Sequence, residues 1–139
     1  MRYARLGDAF LVRLETGEEI VGGVAEFARA HSIDAAEVTG LGSAYDVVLG
    51  YFDRTTKQYD RHHVAGEVEI VSLLGNVALK EGAAFPHLHV TVSGRDYRPF
   101  AGHFFEGKTA ATCELVLRPL RGYAQRTKDE ATGLFLLDL

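Results

Sequence analysis

The chain has 139 residues, with 47% apolar and 24% charged residues, a formal net charge of −4 and one cysteine. That size suits one ordinary globular domain and needs no disulfide or structural metal to fold. A lone cysteine excludes an internal disulfide and a thiolate zinc finger, and the mildly acidic balance lowers the expectation of nucleic-acid binding, which depends on Lys and Arg neutralising phosphate.

Residues 2–15 alternate apolar and polar side chains well enough for one or two short strands, with Gly7-Asp8 as a turn between them. Arg13 and Glu15 interrupt the apolar run Ala9-Phe10-Leu11-Val12, so no signal-peptide core is expected there. Thr16 is placed to cap a helix, with Glu18 and Glu19 in its first turn, where the helix dipole favours anions. Ile20, Val24, Phe27 and His31 then recur at helical spacing, and a helix over roughly residues 18–31 follows. His31 falls at its C-terminal end, a structural position.

Beyond this helix the period drops to two. Residues 38–41, 45–53, 67–74, 76–80, 87–93, 100–105, 112–120 and 134–137 all read as strands. Thr39-Gly40-Leu41-Gly42-Ser43 reads as a bend between strands, since it lacks the third glycine and the helix of a dinucleotide loop. His62 and His63 follow Tyr59-Asp60-Arg61 in an expected surface loop, and the basic stretch from Arg118 to Lys128 reads as a solvated face. Cys113 sits in a strand-like run as a small buried hydrophobe. The expected architecture is α+β, a mostly antiparallel β-sheet packed with one main helix, in a single domain over residues 1–139. No window has the length of a membrane span, and cysteine poverty fits a reducing compartment, so cytoplasm is the expected location.

The chemistry concentrates in Pro86-His87-Leu88-His89-Val90-Thr91-Val92-Ser93. Alternate side chains of a strand share a face, so Leu88, Val90 and Val92 point to the core while His87, His89 and Thr91 point away together. The next run, Phe100 to Phe105, carries His103. In an antiparallel hairpin, paired residues have a constant index sum. A turn centred on Asp96 sets His103 opposite His89, and one centred on Arg95 sets it opposite His87. Either register puts three imidazoles on one face, and an odd sum separates them. Three histidines with an open fourth position suit a ligand-exchanging zinc site. Gly102 lets the backbone beside His103 approach a neighbour closely. Glu69 and Glu114, each on a strand face, are the candidate acid/base or supporting carboxylates.

Val38-Thr39-Gly40-Leu41-Gly42-Ser43, Leu49-Gly50-Tyr51-Phe52-Asp53, residues 69–76, Pro86-His87-Leu88-His89-Val90 and Ala101-Gly102-His103-Phe104 together resemble the plants-and-prokaryotes-conserved (PPC) domain family over essentially the whole chain. The resemblance implies a sheet-rich fold similar to that of acetolactate decarboxylase, assembly as a homotrimer, and a metal, commonly zinc, on His87, His89 and His103. Plant members join the domain to a DNA-binding AT-hook; this chain has no Arg-Gly-Arg-Pro hook. It departs from the family pattern at Ala101, where glycine is commoner, and at Phe104, where an aliphatic residue is usual. The expected function is a stand-alone PPC protein that binds zinc and a small oxygen-bearing ligand, with a zinc-dependent decarboxylase or hydrolase as the candidate enzyme class. DNA binding or trimeric assembly alone are the alternatives.

Overall fold

The computed structural model describes residues 1–139. Strands β1 (Arg2–Leu6) and β2 (Ala9–Glu15) form a hairpin, followed by helix α1 (Ile20–Ala30). Strands β3 (Ala36–Asp53), β4 (Gln58–Val64), β5 (Val68–Lys80), β6 (Ala83–Ser93), β7 (Pro99–Pro119), β8 (Gln125–Lys128) and β9 (Phe135–Asp138) complete the chain. All pairings are antiparallel except the short one between β5 and β8. The fold is thus a mostly antiparallel sheet with one 11-residue helix, to which the expected α+β class applies only loosely.

The sheet closes on itself: β3 pairs with β5, β5 with β6, β6 with β7, and β7 with β3. Strands of 18 and 21 residues make this closure feasible because bulges bend them. Residues 39–43 are therefore no break between strands. They continue β3 through a bulge between Gly40 and Gly42, and Gly42 sits at φ +146, against the backbone of Thr112. A Cβ there would lie 2.2 Å from the Thr112 carbonyl oxygen.

Inside lies one cluster of 25 buried apolar residues, drawn from α1, from β2 to β7 and from Ile33 between α1 and β3. Ile20, Val24, Phe27 and Ala28 form the buried stripe of α1, as the helical spacing requires. The cap differs from the expected one. Glu19, not Thr16, accepts from the Val21 and Gly22 amides, while the Thr16 hydroxyl donates to the Ala111 carbonyl. Gly17 turns the chain at φ +88, and its amide bonds Thr109 of β7, which delays the helix start. His31 closes α1 structurally: its Nδ1 lies 2.9 Å from the Phe27 carbonyl oxygen and its ring stacks on Phe27. Cys113 is fully buried, and burial with Glu114 nearby pushes its thiol up to about 12. No helix is long and apolar enough to cross a membrane.

Candidate metal centre

Strand β6 has two chemically distinct faces. Leu88, Val90 and Val92 are at most 2% exposed and belong to the core. His87 and His89 project from the opposite face. The β6–β7 hairpin has His89 opposite His103, Val90 opposite Gly102 and Ser93 opposite Pro99. This is the register centred on Asp96. It gathers the three imidazoles, whose ring centroids lie 5.1–5.5 Å apart. One nitrogen of each lies within 4.8 Å of the others.

The neighbouring strands hold these rings from both sides. His103 pairs with Gly50 of β3 on its other edge. A Cβ on Gly102 would sit 2.8 Å from the Gly50 carbonyl oxygen, so the glycine permits the close strand approach beside His103. Gly50 itself leaves room for Phe105 and Tyr59, which both pack against His103 with ring centroids 4.7 and 5.2 Å away. Arg61 lies over Phe105, its guanidinium carbon 4.0 Å from the ring centroid. Tyr59 and Arg61 belong to β4, so the segment expected as a loop is a strand paired with β3. His62 and His63 stay exposed on it, outside the three-histidine group, and His62 stacks on Phe100.

On the opposite side stands Arg126 of β8. It is only 6% exposed, which corrects the expectation that the whole basic stretch is solvated. Its Nη2 donates to the Asn76 side-chain oxygen at 2.8 Å and lies 3.3 Å from His87 Nδ1. Its Nη1 donates to the Phe135 carbonyl at 3.1 Å, tying the β8–β9 hairpin to the site. Strand β8 is short and runs parallel to β5, so neither alternation nor a hydrophobic run marked it in the sequence. No pattern in the sequence distinguished Arg126 from the other basic residues between 118 and 128.

Electrostatics favour the neutral forms of His87 and His103. Burial, then the neighbouring His87 and His89, then Arg126 and Arg61 push His103 down to about 4. Burial, Arg126 and His89 lower His87 in the same direction. Burial raises Tyr59, so its phenol stays protonated. Neutral imidazole is the form that binds a metal. His103 Nδ1 is buried without any hydrogen-bond partner. A buried ring nitrogen with no hydrogen-bond partner keeps its capacity for a ligand. The nitrogens spread to 4.8 Å, against about 3.3 Å around a tetrahedral zinc, a difference that ring rotation spans. The donor set therefore fits a divalent first-row metal.

The expected carboxylates lie elsewhere in the chain. Glu69 pairs with Ser93 at the far end of β6, about 13 Å along the strand from His89. Glu114 lies in the distal half of β7, opposite Arg13 and Leu41. Neither belongs to the three-histidine group.

Comparison with known proteins agrees with this architecture. The model of the Plants and Prokaryotes Conserved (PCC) domain matches residues 1–121. A metal-containing protein from Archaeoglobus fulgidus is 36% identical, with a TM-score of 0.88 over 98% of this chain and 97% of that one. A plant- and prokaryote-conserved protein from Pyrococcus horikoshii is 28% identical, with a TM-score of 0.87 over 99% and 96%. A candidate DNA-binding protein from Bacteroides thetaiotaomicron is also 28% identical, with a TM-score of 0.95 over 99% and 96%. No curated protein matches the sequence. The chain belongs to the plants-and-prokaryotes-conserved domain family.

Proposed function

We propose that the 139 residues act as one PPC domain that holds a zinc ion through His87, His89 and His103 and offers its open position to a small oxygen-bearing ligand. The observation that carries this reading is the convergence of one nitrogen from each of three imidazoles within 4.8 Å, with His103 Nδ1 buried and free of any hydrogen bond. The metal-containing relative from Archaeoglobus fulgidus supports it. Imidazole ligands without sulfur or carboxylate suit zinc, copper, nickel or iron, and zinc is the choice the family resemblance favours. Zinc held there would supply Lewis acidity to an oxygen of the ligand. The protein's share is to fix the rings: Phe105 and Tyr59 confine His103, and the β6–β7 register holds His89 opposite it.

Assembly completes the proposal. Leu11, Val116, Thr39, Leu74 and His89 form one cross-strand row from β2 to β6. Leu11 and Leu74 are 46% and 57% exposed, so an apolar sheet face runs up to the histidines. A homotrimer would cover this face. Glu114, one row away opposite Leu41, or Glu69 would enter an acid/base step of a decarboxylase or hydrolase only if a second copy carried it to the histidines of the first. Dialysis against zinc followed by plasma mass spectrometry tests the metal reading. One zinc per chain in the wild type and none in His89→Ala is expected; full stoichiometry in the variant would refute it.

A second reading, DNA binding, is favoured by the description of the Bacteroides thetaiotaomicron relative. Against it stands the net charge of −4. Retardation of duplex DNA that weakens steeply with salt would establish it, and no retardation at low salt would dismiss it.

A further inference from the structure

Arg126 is more than nine-tenths buried, and no Asp or Glu forms an ion pair with it. Its hydrogen bonds all go to uncharged groups: the Asn76 side chain, the Phe135 carbonyl and His87 Nδ1. Its Nε is buried with no partner at all. A buried cation without a counter-charge carries a desolvation penalty of several kcal/mol that neutral acceptors offset only in part. Arg61 lies over Phe105, which packs on His103, and Arg126 and Arg61 are the two guanidinium charges acting on His103.

A second observation concerns His87. A guanidinium can only donate, so the 3.3 Å contact requires His87 Nδ1 to accept, which puts the proton of the neutral ring on Nε2. Metal ligation removes this acceptor whichever nitrogen is used. Ligation through Nε2 moves the proton to Nδ1, and ligation through Nδ1 uses its lone pair. Loading the site therefore frees an Nη2 hydrogen of Arg126 at the Nδ1 edge of His87, which adjoins the metal when Nδ1 is the ligand. Nη2 and the unpartnered Nε lie along one edge of the planar guanidinium, the edge that takes two oxygens side by side.

We infer that Arg126, delivered by the C-terminal β8–β9 hairpin, is the anion-recognition residue of the three-histidine site, and that the site's ligand presents an oxyanion, a carboxylate or a phosphate, to it. The hairpin lies beyond the residues matched by the family model, which ends at 121. This inference rests on the metal reading of the preceding subsection, and it gives the open position a substrate class: small, anionic and oxygen-bearing. Arg126 acts on the ligand directly, whereas Asn76 and the Phe135 carbonyl position its guanidinium.

Cobalt-loaded protein separates the two claims, because its visible absorption reports metal binding before any anion is added. Loading should be stoichiometric in the wild type. Absence of the cobalt bands would refute the metal reading itself, whatever Arg126 does. Titration of loaded wild type with acetate, with inorganic phosphate and with uncharged acetamide is then followed by the shift of those bands. Saturable binding of acetate or of phosphate, with none of acetamide, is expected, and the tighter of the two anions identifies the headgroup. Arg126→Gln should keep the cobalt bands and bind the anion about 10–100-fold more weakly. Arg126→Lys, which keeps the charge and loses the fork, should fall between them. Should Arg126→Gln not fold, Arg126→Lys carries the comparison, and anion binding as tight as in the wild type would overturn the inference. Equal response to acetamide, no response to either anion, or an Arg126→Gln protein that binds the anion like the wild type would overturn the inference.

Discussion

The two faces of β6 carry opposite chemistries a single residue apart. Leu88, Val90 and Val92 are packed to exclusion in the core, while His87 and His89 on the reverse face converge with His103. One strand thus serves stability and function at once, because its period-two geometry sorts successive residues to different environments. The comparison teaches that the two roles are separable by substitution, even between sequence neighbours.

The sharpest way to break that separation is Leu88→Ala. Leu88 is 1% exposed in the main cluster, so truncation should cost about 2–5 kcal/mol in urea unfolding. The folded fraction should still take up zinc with wild-type stoichiometry. Next comes Gly50→Ala, which touches both roles. The added Cβ would lie 2.4 Å from Phe105 and 2.9 Å from Tyr59, the two rings against His103. Overpacking of this kind costs about 1–3 kcal/mol, and zinc affinity should fall with stability. Unchanged zinc affinity would show that these rings do not position His103. His89→Ala is the mirror image of Leu88→Ala. His89 is exposed, so metal-free stability should move by no more than about 0.5 kcal/mol while metal uptake disappears. The smallest effect is expected at Cys113. Its fully buried thiol, raised to about 12, should resist alkylation at pH 8 in the folded protein and react promptly once urea unfolds it.

Much of this arrangement was legible in the sequence. Strict alternation in residues 86–93 fixes which residues point inward, and the constant index sum of a hairpin left only two registers that unite the histidines. The length of the 94–98 connection decides between them, and Tyr97 bonding back to Gly94 shows how it turns. The spacing of Ile20, Val24 and Phe27 gave the helix face. What escaped has physical reasons too. Strand β4 is exposed along nearly all its length, with only Val64 buried, so alternation has nothing to sort and the segment resembles a loop. Gly40 and Gly42 look like chain breaks because glycine weakens strands, yet here they permit the bulge and backbone contact that let β3 run on. The cap moved from Thr16 to Glu19 because Gly17 bonds β7, a contact far away in sequence. Arg126 was hidden for the same reason: only the tertiary fold buries it, against Asn76 and His87, 50 and 39 residues earlier.

X-ray absorption at the zinc edge of the loaded protein tests the central claim most directly. The account predicts three imidazole nitrogens at about 2.0–2.1 Å and one exchangeable oxygen ligand. A sulfur ligand, an all-oxygen shell or fewer than three imidazoles would contradict it.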